Sequence, residues 1–461
     1  MSIKKTSILC IIVLHLISMM PLCFADVRDY EGVGHYVMSD FETPDVAKQR
    51  AKSRAEQSAI EQAGVYVRSY TKTLNAQIVE DEIVTIAGGI IKIKETKYHM
   101  EPLSDEGGSF QITATVIATI NTDEVQKWLN RDSKDKEILI AQNRKLQELN
   151  AEQESKIAYL QKQLTSISSQ QDKKDIQEKF KAVDNEFLAL EKIKNADRAL
   201  TIFEYDKAVL YCNEALILNP SNALAYEIIG TCYYEKHQYD IAIKNLTEAI
   251  TLNNNNSNTY NKRGVSYQAL SKHEEALSDF NIAIRLSPQN EKIYNNRAMT
   301  YASLGRIQLA MADYSKAIEL NPHYTLAYYN RAETYLHEKQ YALAITDFSK
   351  AISLNPYDAD AYNDRAIAYN AEKNYLLAIN DCTKSIELNP KNPNPYFNRG
   401  EAYWGQGKYE LAANDYLKTL EINPYDVEAH EKLGVCFRNL GYVKEAEMCF
   451  AIANKIKSSR R

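Results

Sequence analysis

From about residue 189 onward, apolar and small side chains return with a period of 34 residues. Pro220, Pro288, Pro322, Pro356, Pro390 and Pro424 mark the period, and Asn254 fills its one gap. In the same register stand Ala208, Ala242, Ala276, Ala310, Ala344, Ala378, Ala412 and Ala446. Four positions on, most copies carry a bulky residue, such as Phe280, Tyr314, Phe348, Tyr416 and Phe450. The first half of each unit runs aromatic, small, aromatic, as in Tyr260-Gly264-Tyr267, Tyr294-Ala298-Tyr301 and Tyr396-Gly400-Tyr403. Spacings of three and four define one face of a helix. Each unit is therefore expected to be two antiparallel helices, with small residues allowing close approach and proline stopping the second helix. One such pair cannot bury its own apolar face, so the units must stack.

The pattern upstream is different. Thr43-Pro44 predicts a helix start, with proline at the first helical position. Ala47, Ala51, Ala55, Ala59 and Ala63 then follow at every fourth place, and Gly64 is expected to end that helix. Phe110, Ile112, Ala114, Val116, Ala118 and Ile120 alternate with polar residues, which predicts a half-buried strand. Gly32 to Met38 and Ile90 to Tyr98 are expected companion strands, with a turn over Asp105 to Gly108 and a short helix over Asp123 to Leu129. Residues 26–131 thus form a small α+β domain. Residues 132–188 are polar and helix-forming, with Leu139, Leu146, Leu160 and Ile167 at heptad spacing and Gln153 interrupting the seam. A break is expected over Ser166 to Gln171. Two readings fit this linker: an oligomeric coiled coil through 138–190, or two helices folding back on each other.

The periodic part resembles the tetratricopeptide repeat (TPR) family over roughly 189–460. The resemblance implies a mainly α protein: a right-handed solenoid of about eight helix-turn-helix repeats over 189–461, preceded by the α+β domain and the helical linker. The first unit, 189–222, departs from the pattern with Lys192 and Ala196 where an aromatic and a glycine are usual. The N-terminal domain is similar to that of the flagellar assembly protein T family and small envelope lipoproteins. Gly32-Val33-Gly34, the alanine stripe, Ala63-Gly64-Val65-Tyr66-Val67 and the final alternating strand carry that likeness, which implies envelope assembly work and no catalysis.

The first 25 residues have the layout of a secretory signal: Lys4 and Lys5, an apolar run from Ile8 to Met20, Pro21, and Cys23-Phe24-Ala25 before Asp26. A retained anchor is the other reading. Cleavage takes the formal charge from −6 to −8, which disfavours sequence-independent nucleic-acid binding. The export reading places the protein in the periplasm or envelope, or secreted. Cys212, Cys232, Cys382, Cys436 and Cys449 then remain, too scattered for a disulfide framework; Cys436 and Cys449 form either a buried thiol pair or a disulfide.

Chemistry is sparse. The eight histidines show no metal-binding spacing. Gly405-Gln406-Gly407-Lys408 echoes a phosphate loop but is followed by Tyr409 and sits at a turn. No nucleophile elbow or isolated carboxylate pair appears, so no enzyme, cofactor or metal is expected. A row of Arg263, Arg297, Arg331, Arg365 and Arg399 matches Asp279, Asp313, Asp347, Asp381 and Asp415 in register; the arginines either receive anions or pair with these aspartates.

The resemblance to the repeat family implies a concave face formed by the first helices. The places that should point there hold Tyr234, Asn261, Asn295, Tyr329, His337, Asn363, Phe397 and Trp404. Amides suit an extended peptide backbone, and groove aromatics are natural anchors; the alternative is that Tyr329, Phe397 and Trp404 only shield neighbouring helices. Asn296, Asn330 and Asn398 match the middle Asn of the carboxylate clamp of chaperone-tail binders, but the flanking places hold Asn261 and Val265, Asn295 and Met299, and Asn363 and Ile367, so the clamp is absent. The expected function is an exported adaptor holding a protein or peptide partner. The rival is an envelope or flagellar-type structural part, in which the N-terminal domain docks and the repeats are a spacer.

Overall fold

A computed structural model describes residues 27–38, 42–73, 80–103, 109–130, 133–164 and 170–459. The signal segment 1–25, the turn at 105–108 and residues 166–169 of the expected break lie outside them. Two compact units divide the chain, Met1–Asn254 and Asn255–Arg461.

In the first unit, β1 (Val27–Met38), β2 (Lys92–Pro102) and β3 (Phe110–Asn121) form an antiparallel sheet of order β1-β3-β2. The alternation of β3 is realised: Ile112, Ala114, Val116, Ala118 and Ile120 are fully buried. Helix α1 (Pro44–Thr73) lays Ala47, Ala51, Ala55, Ala59 and Ala63 on the sheet, all fully buried. The contact is so close that a Cβ on Gly32 would lie 1.9 Å from the Ala55 carbonyl oxygen, and one on Gly34 2.3 Å from that of Ala51. Backbone meets backbone there, which only glycine permits.

Gly64 does not end α1. Val67 and Thr71 continue the buried stripe at four-residue spacing, and that burial outweighs the roughly 1 kcal/mol that a mid-helix glycine costs. A helix the sequence pattern did not signal follows, α2 (Glu80–Ile90), burying Ile83, Ile86, Ala87 and Ile90; the strand expected from Ile90 starts at Lys92 instead. Helix α3 (Thr122–Leu129) is capped by Asn121, whose Oδ1 accepts from the Asp123 amide at 2.8 Å.

The linker is two long helices, α4 (Ser133–Leu164) and α5 (Gln170–Thr201), folded back on each other. Ile157 and Leu160 pack with Ile176, Phe180 and Val183 in one buried cluster. The interrupting Gln153 is buried and donates to Glu186 at 2.8 Å. Helix α5 continues past residue 189 and supplies the first helix of the first pair, placing Ile193, Ala196 and Ala199 in one core with Ala208, Cys212 and Ala215 of α6 (Tyr205–Leu218). The departures at Lys192 and Ala196 mark a helix with two jobs.

Buried polar contacts fasten the sheet domain to α5. Arg50 is fully buried; its Nε donates to Glu42 at 2.7 Å and its Nη2 to Asp184 at 2.9 Å, with the guanidinium 4.3 Å from the Phe187 ring centre. Arg198 Nη1 meets Glu56 at 2.7 Å, and its Nε donates to the Gly88 carbonyl. The unit closes with the pair α7 (Ala223–Glu235) and α8 (Tyr239–Leu252).

The second unit is six further pairs: α9 (Ser257–Ala269) with α10 (His273–Leu286), α11 (Glu291–Ser303) with α12 (Ile307–Leu320), α13 (Thr325–His337) with α14 (Tyr341–Leu354), α15 (Ala359–Ala371) with α16 (Tyr375–Leu388), α17 (Asn394–Gly405) with α18 (Tyr409–Ile422), and α19 (Val427–Asn439) with α20 (Val443–Ser459). Among the described residues there are 20 helices and three strands. The turn inside each pair places one residue in the left-handed region, at Phe203, His237, Ser271, Gly305, Lys339, Lys373, Gly407 and Gly441. Gly407 is thus the turn residue expected of the phosphate-loop echo.

Candidate partner-binding groove

Within the second unit, neighbouring first helices touch one another, and each second helix packs against its own and the following first helix. The first helices form the inner row, and one face of it carries a ladder of side chains joined 35 residues apart. Asn296 Nδ2 donates to Asn261 Oδ1 at 3.1 Å, Asn330 Nδ2 to Asn295 Oδ1 at 3.0 Å, and Asn398 Nδ2 to Asn363 Oδ1 at 2.8 Å. At the remaining step, Tyr329 Oη donates to Asp364 at 2.6 Å.

Asn261, Asn295, Tyr329 and Asn363 therefore belong to one row, but Asn295 and Asn363 are buried. Each amide pair spends one donor and one acceptor on the neighbouring repeat. Phe397, the next in register, is half-buried with its ring 5.5 Å from Tyr416, and Tyr329 packs edge-on to Phe348. Both aromatics thus pack on a ring of the second helix of their own repeat. Trp404 is different: it is 41% exposed, with Lys432 Nζ 5.6 Å from its ring centre. His337 is exposed at the end of α13. Tyr234 lies in the first unit, half-buried and edge-on to Tyr239.

The Tyr329–Asp364 step gives the row its electrostatic character. Burial, then the hydrogen bond to Asp364, pushes the Tyr329 phenol well up. Burial also raises Asp364, against the hydrogen bonds from Tyr329 and Asn363. Glu333, one turn along α13, is raised by burial and by the Asp364 carboxylate, with His337 pulling the other way. Further along, Glu401 accepts from Tyr416 Oη and meets Lys432 Nζ at 2.6 Å.

Asp364, Glu333, Glu401 and Lys432 were not singled out from sequence. A signal for the first existed: Tyr329 replaces the asparagine of places 261, 295 and 363, and Asp364 replaces that of 296, 330 and 398. The two departures occur together because the two residues are partners.

The arginine row is internal to the fold. Each arginine grips the aspartate 16 residues on through both Nε and Nη2, at 2.7–2.9 Å. A remaining Nη1 reaches back 16 residues, as from Arg331 to Ser315 and Arg365 to Ser349. Tyrosine rings flank the guanidinium, as Tyr362 and Tyr369 do Arg365 at 5.7 Å. These arginines are committed to pairing and stacking rather than to receiving anions. Cys436 and Cys449 share one buried cluster and are free thiols, burial pushing Cys436 up to about 11.

Residues 291–324, 325–358 and 393–426 match one tetratricopeptide repeat model, 223–256 and 257–290 match another, and 368–407 match a TPR repeat model. These residues are tetratricopeptide repeats, a protein-binding scaffold fold, and no catalytic family is among the matches. No curated protein matches the chain. Among solved structures, the chain is similar to MamA, at 23% identity over 35% of this chain and 95% of that one, with a TM-score of 0.34. It is similar to YrrB, described as a TPR protein with an unusual peptide-binding site, at 23% identity over 39% and 92%, TM-score 0.35. It is also similar to a tetratricopeptide repeat protein from Parabacteroides merdae, at 23% identity over 54% and 98%, TM-score 0.43. Likeness at this level concerns the fold alone.

Proposed function

We propose that the protein is an exported adaptor whose tetratricopeptide repeats hold a protein or peptide partner against the inner row of first helices. The observation that supports this reading best is the 35-residue ladder from Asn261 to Asn398. It locks successive first helices together and leaves a pre-organised face, which lowers the ordering cost of binding. Met299 and Trp404 are exposed on first helices, and an accessible tryptophan is the residue type that dominates interface energies. The signal-like residues 1–25 support export to the periplasm or envelope, and no helix among the described residues is long and apolar enough to cross a membrane. The proposal includes an envelope-docking role for the N-terminal domain, resting on the residues Gly32-Val33-Gly34, the alanine stripe and the alternating strand β3, which resemble the flagellar assembly protein T family.

The test is affinity capture from an envelope fraction with the full chain, comparing Trp404→Ala with a Val33→Lys plus Val37→Lys variant. Val33 and Val37 are exposed on β1. Loss of a hot-spot side chain costs about 2 kcal/mol, roughly thirtyfold in affinity. The adaptor reading expects that loss for Trp404→Ala at unchanged helicity. Retention by Trp404→Ala with loss by the β1 variant would instead make the repeats a spacer.

A further inference from the structure

The first unit contains a cleft of about 680 Å³ between α1, α2, α4 and α5. It lies where the core of the sheet domain and the core of the first helix pair fail to merge: Ile60, Val84 and Leu139 belong with the former and Leu146 with the latter. A volume of this size is in the range of small-molecule sites. We propose that this cleft binds a small uncharged organic molecule, an apolar ring system carrying a hydrogen-bond donor.

Three observations carry the proposal. The first is the charge on the walls. Each cation lining the cleft is already matched: Arg54 with Glu154 at 2.7 Å, Arg198 with Glu56 at 2.7 Å, and Lys194 with Glu191 at 2.5 Å. An anionic ligand would have to break one of these pairs, and burying a charge without a partner is costly. A cationic ligand would have to compete with Arg54 and Arg198 for the Glu154 and Glu56 carboxylates of the lining, which those arginines already hold. The second is Asn150, which lines the cleft with its Oδ1 buried and without a hydrogen-bond partner among the described residues. A buried acceptor without a donor is unfavourable, and a donor carried into the cleft would offset that.

The third is Gly88. Two adjacent glycines in an 11-residue helix are unfavourable relative to alanine. Packing explains Gly89, where a Cβ would press to 3.0 Å from Thr201 Cγ2. It does not explain Gly88, where a Cβ would meet only Ile60 Cδ1 at 3.7 Å and Asn143 Nδ2 at 3.8 Å. Gly88 lines the cleft, so a side chain there would fill the space that the glycine leaves open.

The experiment uses the full chain and N-phenyl-1-naphthylamine, an uncharged two-ring probe with one N–H donor whose emission rises in apolar surroundings. Wild type should show one saturable site per chain, with Kd on the order of 10 μM. Gly88→Leu should weaken binding at least tenfold without lowering the thermal midpoint, and Asn150→Leu should weaken it about fivefold, the worth of one hydrogen bond. The sulfonated analogue 8-anilinonaphthalene-1-sulfonate should bind at least tenfold more weakly than the neutral probe. Should Gly88→Leu fail to fold, Gly88→Ala, which has room for its methyl, should still weaken binding measurably while raising the midpoint. Absence of saturable binding, unchanged affinity in the folded Gly88 variant, or equal affinity for the sulfonate would each overturn the proposal.

Discussion

Each Arg–Asp pair in the second unit is nearly buried, with arginine side chains 14–19% exposed and their aspartates 4–10%. Hydrogen bonding to Asp415 holds Arg399 above the usual arginine value against the opposing effect of burial. The last repeat shows what the fold accepts instead: Leu433 and Cys449, both buried, stand in the places of Arg399 and Asp415. A buried pair is costly to break and can be cheap to replace outright. Asp347→Ala should therefore destabilise the second unit by about 3–5 kcal/mol, because it strands Arg331. Arg331→Leu together with Asp347→Cys should fall within about 1 kcal/mol of wild type, since both charges leave at once. Urea unfolding of wild type and these two variants checks both values. The pairing was legible in sequence because two opposite charges recur at one fixed offset. The Tyr329–Asp364 partnership occurs once and spans two repeats, so its one trace in the sequence is the joint departure of both places from the asparagine row.

At the scale of elements, the internal turn of every repeat demands one left-handed residue, and five of the eight are not glycine: Phe203, His237, Ser271, Lys339 and Lys373. Left-handed backbone costs a side-chain-bearing residue about 1–2 kcal/mol, partly offset by the extra freedom that glycine gives the unfolded chain. Lys373 is exposed, so Lys373→Gly should stabilise the protein by roughly 0.5–1 kcal/mol, read as a higher urea midpoint at unchanged slope. The paired helices, the α1 alanine stripe and the alternation of β3 were legible because their periods are long or strict. Helix α2 was missed because Gly88 and Gly89 weaken its propensity over only 11 residues. The end of α1 was misplaced because Gly64 faces a spot where nothing but Ile83 comes near, at 3.5 Å, so a glycine there signals no stop. The linker's two readings could not be separated from sequence, since an apolar seam has the same spacing whether its partner is the same chain or another. The structure spends Ile157, Leu160, Ile176, Phe180 and Val183 on one intramolecular contact.

At the scale of the whole molecule, the N-terminal part is more closely tied to the repeats than the sequence suggested. One helix, α5, is at once half of the linker hairpin and the first helix of the first repeat. It also receives Arg50 through Asp184 and offers Arg198 to Glu56. Removing residues 26–131 would strand Asp184 and Arg198, so functional dissection needs substitutions in the full chain rather than truncation. The candidate groove lies in the second unit, on helices that carry none of these contacts. Its central claim is that a partner sits on the first helices and not on the second. Met299 on α11 and Ser278 on α10 are both exposed and sit on opposite kinds of helix. A photo-crosslinking phenylalanine analogue placed at each position in turn, in the full chain in its native cells, tests that claim most directly. The adaptor account predicts a discrete crosslinked partner from position 299 and none from position 278. Crosslinks from 278 alone, equal crosslinks from both, or none from either would contradict it.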